Sequence, residues 1–238
     1  MANCKKRIVE DYSGPAPETL HDHPFYGLQV DDVEQIEFRD ALWNPKNRFV
    51  AVDACAGSGK STISIAVALL LCKYGRMDEV IYMRVPTSMS EGRLGFLPGS
   101  LSEKVRTYMQ PLYNTLATLG ENPFTVINDE SMTAQKNGTG LITPMTDVYV
   151  RGDDWDRKVI IIDEAQNATT DQLKTIITRA KDTCLVICAG STRQIDLKHK
   201  EDSGLERCVT HFDGKPWAQI CHLSKNFRGE MSAWADLM

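Results

Sequence analysis

Residues 49–61 read FVAVDACAGSGKS, a short apolar segment that runs into a glycine-rich turn and then into a helix. A glycine-rich turn between a strand and a helix is the setting in which backbone N–H groups bind phosphate. Gly57 and Gly59 permit backbone angles that other residues avoid, so successive N–H groups can converge on one anion at the positive end of the helix dipole. The stretch therefore predicts an α/β fold with a phosphate loop, residues 54–61, after its first strand.

The positions of this phosphate loop have different expected roles. We expect Lys60 to lie beside the β- and γ-phosphates of a nucleotide and the Ser61 hydroxyl to bind Mg²⁺. Ala54 stands where the motif usually has its first glycine, and this small residue is compatible with the turn. A flexible turn with a solvated lysine is the alternative. The predicted nucleotide contacts are Ala56, Gly57, Ser58, Gly59, Lys60, Ser61 and Thr62.

A second apolar run, VIIID at residues 159–163, is followed directly by Glu164. Open parallel sheets bind ligands at the carboxyl ends of their strands, so Asp163 and Glu164 are predicted to face the phosphate loop. We assign Asp163 to the metal ion, through its water shell, and Glu164 to the deprotonation of the attacking water. A strand followed by a solvated turn is the alternative, and the preceding phosphate loop favours the catalytic interpretation.

Two later segments supply polar side chains at the same carboxyl ends of the strands. LVICAGSTRQID at residues 185–196 places Gln194 beyond a strand, where its amide can hydrogen-bond water and the γ-phosphate. LSKNFRGE at residues 223–230 contains Arg228, which would stabilise transition-state charge on the γ-phosphate. A polar loop and a surface arginine are the respective alternatives.

The remaining apolar runs indicate the fold class. EVIYMR at residues 79–84, LVICAG at 185–190 and AQICHL at 218–223 lack alternation, which is typical of strands buried on both faces of a parallel sheet. Residues 61–74 are apolar on all sides, as expected for an interior helix. Strands that alternate with helices predict a three-layer α/β fold, with a mainly parallel sheet flanked by helices.

Two further helices are expected from their first turns. Ser100 with Glu103, and Thr169 with Gln172, have the spacing of a capping box. The first of these helices is predicted to bend at Pro111, because proline removes a backbone donor inside a helix.

Composition is that of an ordinary globular protein. The 238 residues are 42% hydrophobic and 25% charged, which excludes a disordered or collagen-like chain. Residues 1–24 have prolines among charges and predict an extended arm, whereas residues 25–238 predict a single domain. The net charge of −5 gives no general affinity for nucleic acid, although a local basic groove remains open.

Nothing in the sequence predicts membrane insertion. The apolar run at residues 65–72 is far shorter than the roughly 20 residues that a bilayer requires, and the amino terminus has no apolar signal core. The seven cysteines are odd in number and scattered, which favours reduced thiols. We therefore expect a cytoplasmic protein with no membrane contact.

Taken in order, these segments resemble the PhoH family of P-loop ATPases, relatives of the superfamily 1 helicase cores. The resemblance covers most of residues 35–205. It rests on LGFLPGSLSEKVRTYMQPLYNTL at 94–116, YVRGDDWDRKVIIIDEAQNATTDQLKTIITR at 149–179 and QIDLKHKEDSGL at 194–205. Ala54 replaces the family's glycine, Thr107 its proline and Ser191 its aspartate after the third strand.

The resemblance implies a P-loop NTPase fold and further site residues. Gln35 matches the glutamine that reads adenine in such helicases, which favours ATP over GTP. The NFRG segment resembles the arginine motif of superfamily 1 helicases and favours Arg228 as a γ-phosphate contact. Arg84 and Arg151 would reach a phosphate of an adjacent chain, or else form structural salt bridges.

The resemblance also implies an activity. We expect hydrolysis of ATP with Mg²⁺, coupled to RNA or single-stranded nucleic acid. Because this chain has one phosphate loop and a translocating helicase generally has two cores, we expect a homo-oligomer such as a hexameric ring. The alternative is an ATP-gated module that changes shape at residues 94–116 and docks a protein partner with little hydrolysis. A small-molecule kinase is disfavoured because no lid or acceptor pocket is recognisable.

Overall fold

The computed structural model describes residues 12, 14–85, 109–128, 140–145 and 154–235. Within these ranges, six strands form one sheet whose neighbouring strands are all parallel. The strands are β1 (Phe49–Ala54), β2 (Glu79–Arg84), β3 (Ile142–Met145), β4 (Lys158–Asp163), β5 (Leu185–Gly190) and β6 (Ala218–Leu223). Their order across the sheet is β3-β2-β4-β5-β1-β6. The predicted parallel sheet is confirmed.

Helices cover both faces of this sheet. Those in the described ranges are α1 (Val33–Trp43), α2 (Lys60–Lys73), α3 (Gln110–Thr118), α4 (Pro123–Val126), α5 (Thr170–Ile177), α6 (Leu205–Phe212) and α7 (Glu230–Ala235). Successive side chains of β1 point to opposite faces: Val50 and Val52 pack into a core with α1 and α2, whereas Phe49 and Ala51 pack with α5 and α6. The predicted three-layer α/β fold is therefore confirmed.

The helix after the phosphate loop is an interior element. Every residue from Ile63 to Cys72 is buried, and α2 packs against α1, α3 and the sheet. A helix without a polar face is stable only when other elements cover it on all sides. The interior position predicted for residues 61–74 is thus confirmed, and it fixes the start of α2 against the end of β1.

Two features differ from the sequence-based expectation. Strand β3 was not predicted, because Pro144 interrupts its apolar pattern; β3 is the edge strand beside β2, where proline is tolerated, and its Ile142 also forms an isolated parallel bridge with Ile127. Of the helix expected to bend at Pro111, the structure describes α3, which begins at Gln110 and has Pro111 in its first turn, where no backbone hydrogen bond is lost. The cap predicted at Ser100 and Glu103 lies outside the described residues.

The capping box predicted between Thr169 and Gln172 is confirmed. The Thr169 hydroxyl accepts a hydrogen bond from the Gln172 backbone N–H, and the Gln172 side chain accepts one from Thr169 N–H. These two hydrogen bonds start α5 shortly after the acidic pair, Asp163 and Glu164.

The segment before α1 packs onto the domain. Residues 14–24 form bends, yet Leu20 is fully buried and Trp43 Nε1 donates to Pro17 O at 3.0 Å. The six cysteines within the described ranges are free thiols. In the same ranges, no helix has the length and apolar character needed to span a bilayer.

Candidate functional site

The phosphate loop joins the end of β1 to the start of α2. Gly57 and Gly59 have φ angles of 69° and 90°, the left-handed conformation that glycine adopts without strain. Gly59 occupies the cap position of α2 and has no side chain to satisfy the first-turn N–H groups, which leaves them for an anion. The predicted contacts Ala56, Gly57, Ser58 and Gly59 lie in the loop, and Lys60, Ser61 and Thr62 form the first turn of α2.

Asp163 lies next to this first turn although β5 separates its strand from β1. The Ser61 hydroxyl donates to Asp163 Oδ1 at 3.0 Å, and Tyr82 donates to Oδ2 at 2.7 Å. Asp163 is 2% exposed. Burial and the neighbouring charge of Glu164 raise the pKa of Asp163, and the hydrogen bond from Tyr82 and the charge of Lys60 oppose this. A hydroxyl and a carboxylate are hard oxygen ligands that suit Mg²⁺.

Glu164 follows Asp163 but has a different environment. Its backbone is left-handed, with φ 56° and ψ 40°, a conformation that costs a residue with a side chain of order 1 kcal/mol and clusters at functional sites. One carboxylate oxygen, Oε1, lies 3.8 Å from Lys60 Nζ, and the side chain is 23% exposed. The other oxygen, Oε2, accepts a hydrogen bond from Gln166 Nε2 at 2.8 Å. Water can therefore reach a carboxylate that two side chains hold in place.

The loop after β5 is hydrogen-bonded to β1 and to the segment after β4. Asp53, near the end of β1, accepts hydrogen bonds at 2.8 Å from both the backbone N–H and the hydroxyl of Thr192. Gln194 donates its backbone N–H to Ser191 O and accepts from Gln166 Nε2 at its own carbonyl oxygen. The structure thus brings Gln194 to the site edge through its main chain, and the γ-phosphate contact of its side chain stays a prediction.

Gln35 packs against the phosphate loop. It is buried on α1, and its Nε2 donates to Ser58 O at 2.8 Å. A Cβ at Gly59 would lie 3.1 Å from the same nitrogen, so the glutamine closely fits the loop. The amide therefore supports the loop directly, and its contact with adenine stays a prediction.

The segment after β6 lies across the phosphate loop of its own chain. Phe227 N–H donates to Gly57 O at 3.0 Å, and Asn226 Oδ1 accepts from Arg228 N–H at 2.8 Å. A Cβ at Gly57 would lie 2.8 Å from Arg228 Cγ and from Asn226 Oδ1. Arg228 is thus positioned in cis over the loop. Its contact with a γ-phosphate stays a prediction.

Sequence reasoning missed several residues of this site. Tyr82 lies inside an apolar strand, where the sequence pattern indicates only a core position. Gln166 directly follows the acidic pair within DEAQN, and that proximity was the available signal. Arg84 ends β2 opposite Asp163 in the strand register, whereas Arg151 lies outside the described residues, as do Thr107 and most of residues 94–116.

Comparison with known proteins identifies a matching family. The family model described as PhoH-like protein matches residues 28–234. Protein PhoH2 of Bacillus subtilis strain 168 is 29% identical over 233 residues, covering 96% of this chain and 51% of that protein. The PhoH-like protein of the same strain is 36% identical over 179 residues, covering 75% of this chain and 52% of that protein.

The chain spans about half the length of these curated relatives. Among solved structures, the DUF1998 helicase MrfA bound to DNA is similar with a TM-score of 0.48 at 11% identity. That similarity covers 90% of this chain and 29% of the helicase chain.

Proposed function

Because the chain belongs to the PhoH family, we propose that it hydrolyses ATP to ADP and phosphate with Mg²⁺. The observation that supports this most directly is the 3.0 Å hydrogen bond between Ser61 Oγ and Asp163 Oδ1. It joins the phosphate loop to the acidic strand end, so one Mg-triphosphate can contact both.

The phosphate loop supplies the binding groups. Backbone N–H groups from Gly57 to Ser61 hold the phosphate oxygens, and Lys60 adds a cation beside the terminal phosphates. Ser61 and Asp163 would hold Mg²⁺, since their oxygens already lie within hydrogen-bonding distance of each other. When bound, Mg²⁺ neutralises charge on the phosphate oxygens.

Glu164 is the proposed general base. Its carboxylate is accessible to water, whereas Asp163 is enclosed by the sheet. Glu164 accepts the proton of the attacking water while Gln194 orients that water and Arg228 stabilises charge on the γ-phosphate. These roles for Gln194 and Arg228 are part of the proposal.

Adenine recognition is assigned to Gln35. Its side-chain oxygen can accept a hydrogen bond from the exocyclic amine of adenine, while Nε2 stays on Ser58 O. The same amide would then connect base recognition to the shape of the phosphate loop.

We extend the proposal to partners: a homo-oligomer, with a hexameric ring as one form, that couples ATP turnover to RNA or single-stranded nucleic acid. Light scattering in the presence of ATP tests the oligomer, and a strict monomer contradicts it. Mixing Lys60→Ala with Arg228→Ala protein tests the arginine. Restored turnover in the mixture indicates an arginine acting in trans, and no restoration supports the cis placement.

Turnover is tested by phosphate release, with and without RNA, and by ATP calorimetry. Glu164→Gln should retain ATP binding and lose at least 100-fold in kcat, the order of loss expected for a general base. Lys60→Ala should weaken ATP binding and also lower kcat. The matched control Glu201→Gln changes a carboxylate that is 76% exposed and should behave as wild type. Wild-type turnover in Glu164→Gln would show that another group accepts the proton.

An ATP-gated docking module is the second candidate. It is favoured by the exposed apolar side chains of Phe227, Met231 and Trp234, which lie on or just after the segment that contacts Gly57. Nucleotide binding at the loop could therefore move an apolar surface. Tight ATP binding with negligible phosphate release, with or without RNA, would support this module over the ATPase.

A further inference from the structure

The side chain of Gln166 is buried between the acidic pair and the loop after β5. It is 1% exposed. Its Nε2 donates to Glu164 Oε2 at 2.8 Å and to Gln194 O at 3.0 Å, and its Oε1 accepts from Ser191 N–H at 3.1 Å. A neutral primary amide offers two donor hydrogens and one acceptor oxygen. Both donor hydrogens and the acceptor oxygen of Gln166 are thus engaged.

The surroundings hold this amide in one position. Ser203 Oγ donates to the Gln166 backbone oxygen at 2.8 Å. A Cβ at Gly190 would collide with Gln166 Oε1 and would lie 2.7 Å from Leu205 Cδ2. The absence of a side chain at Gly190 is therefore what lets the glutamine reach the end of β5.

The three hydrogen bonds need an amide. A glutamate at position 166 would place a carboxylate against Glu164 and against the Gln194 carbonyl, where both contacts become repulsive. A methionine has the same reach but no donor that could hold either oxygen. Residue type at this position is therefore set by what the side chain contacts, and one of those contacts is the proposed base.

The two sides of Gln166 carry different parts of the site. On one side is the carboxylate of Glu164, which is otherwise held by Lys60 at 3.8 Å. On the other side is the loop from Ser191 to Gln194, which is itself bonded to Asp53 of β1 through Thr192. If that loop shifts, Gln194 O, which accepts from Gln166, and Ser191 N–H, which donates to it, shift as well. The side chain of Gln166 then moves, and the Glu164 carboxylate moves with it.

We propose that Gln166 is a positioning residue that fixes the orientation of the Glu164 carboxylate and couples it to the loop after β5. This role rests on the proposed ATPase, in which Glu164 is the base. Gln166 touches neither water nor phosphate in this role and acts through Glu164 alone.

Nuclear magnetic resonance of the nucleotide-free chain tests the contact independently of turnover. The Gln166 side-chain NH₂ should exchange slowly with water, and Glu164→Gln should shift both this NH₂ resonance and the Ser191 backbone amide. The control Gln172→Glu changes the same residue type at a capping box that accepts glutamate, and it should leave both resonances in place. Fast exchange of the Gln166 NH₂, or resonances unmoved by Glu164→Gln, would overturn the proposal.

Kinetics test the consequence. Gln166→Met should lower kcat by about 10- to 100-fold, the loss typical of a misplaced catalytic group, with KM for ATP within about threefold. In a Glu164→Gln background, Gln166→Met should cause no further loss, because the two residues act as one unit. If the losses in kcat multiply in the double variant, or if folded Gln166→Met protein has a wild-type kcat, the role of Gln166 is overturned while the proposed ATPase stands.

The same experiments separate this inference from the proposed function. Wild-type protein that binds ATP without turnover overturns the ATPase, and with it a role for Gln166 in positioning a base. If Gln166→Met does not fold, which a thermal melt reveals, the resonance test on the wild type and on Glu164→Gln still decides whether the Glu164 contact exists.

Discussion

Gly57 and Gly75 provide a matched test of the segment that lies over the phosphate loop. Their φ angles are 69° and 68°, so alanine is strained equally at both positions. A Cβ at Gly75 meets nothing within 4 Å, whereas a Cβ at Gly57 would lie 2.8 Å from both Arg228 Cγ and Asn226 Oδ1. The difference between Gly57→Ala and Gly75→Ala therefore isolates the contact with that segment.

The expected magnitudes follow from these contacts. A left-handed alanine costs about 1–2 kcal/mol, and the reduced freedom of the unfolded chain offsets about 0.4–1 kcal/mol of it. Gly75→Ala should thus lower the free energy of unfolding by about 1 kcal/mol. Gly57→Ala must also displace the segment and lose the bond from Phe227 N–H to Gly57 O, which adds about 1–2 kcal/mol.

Urea unfolding without nucleotide measures both losses, and calorimetry with Mg-ATP measures the effect on binding. Gly57→Ala should bind ATP at least tenfold more weakly, because the loop N–H groups lose their common direction, whereas Gly75→Ala should bind as wild type. Adding Arg228→Ala to Gly57→Ala should recover part of the lost stability. Equal destabilisation by the two alanine variants would refute the placement of Asn226 and Arg228 over the loop.

Three further substitutions test the rest of the site. Tyr82→Phe should lower the unfolding free energy in urea by about 1–3 kcal/mol, because a buried oxygen of Asp163 loses its donor. It should also raise the pKa of Asp163 further, so Mg²⁺-dependent turnover should fail at a higher pH than in wild type as the solution is acidified. Asp163→Asn should abolish the Mg²⁺ dependence of ATP binding in calorimetry. The pKa of Asp163 is raised in the folded protein, so wild type without nucleotide gains stability as pH falls through that pKa. Urea titrations of Asp163→Asn should show no such gain, and at neutral pH this variant should be more stable than wild type. Gln35→Ala should cost about 1 kcal/mol of stability through its lost bond to Ser58 O, and calorimetry should show a larger loss of affinity for ATP than for GTP.

Local pattern was enough to predict the strands that pack on both faces. A strand buried on both faces is apolar at most positions, so the runs that became β1, β2, β4 and β5 were recognisable without the structure. The run that became β6 was also recognised as a strand, but it lies at an edge of the sheet and its His222 is exposed, so the expected burial on both faces was wrong there. Strand β3 was not recognised, because Pro144 is compatible with a strand only at a sheet edge, and position in the sheet is a property of the whole fold. The same reason explains Pro111, whose effect depends on where its helix starts.

The sequence was sufficient to predict which strand ends form the candidate site, but not all the side chains that complete it. The rule that ligands bind at the carboxyl edge of a parallel sheet was sufficient to bring Asp163 toward Ser61. It could not identify Tyr82, because an aromatic residue in an apolar run is consistent with a core position until the neighbouring strand is known. It could not orient Gln166 either, since its three partners come from two segments that only the order of β4 and β5 brings together.

The strand order also explains why the proposed ATPase assigns different roles to two adjacent carboxylates. Asp163 is the last residue of β4, and the neighbouring strands β2 and β5 exclude water from it, so its charge is stable only beside a hydrogen-bond donor or a metal ion. Glu164 is the first residue beyond the strand, and its left-handed backbone turns the side chain toward Lys60 and solvent. Exchanging the two environments would bury Glu164, the proposed base, and expose Asp163, the proposed metal ligand. The chemistry therefore depends less on the pair DE than on the one-residue boundary at which the strand ends.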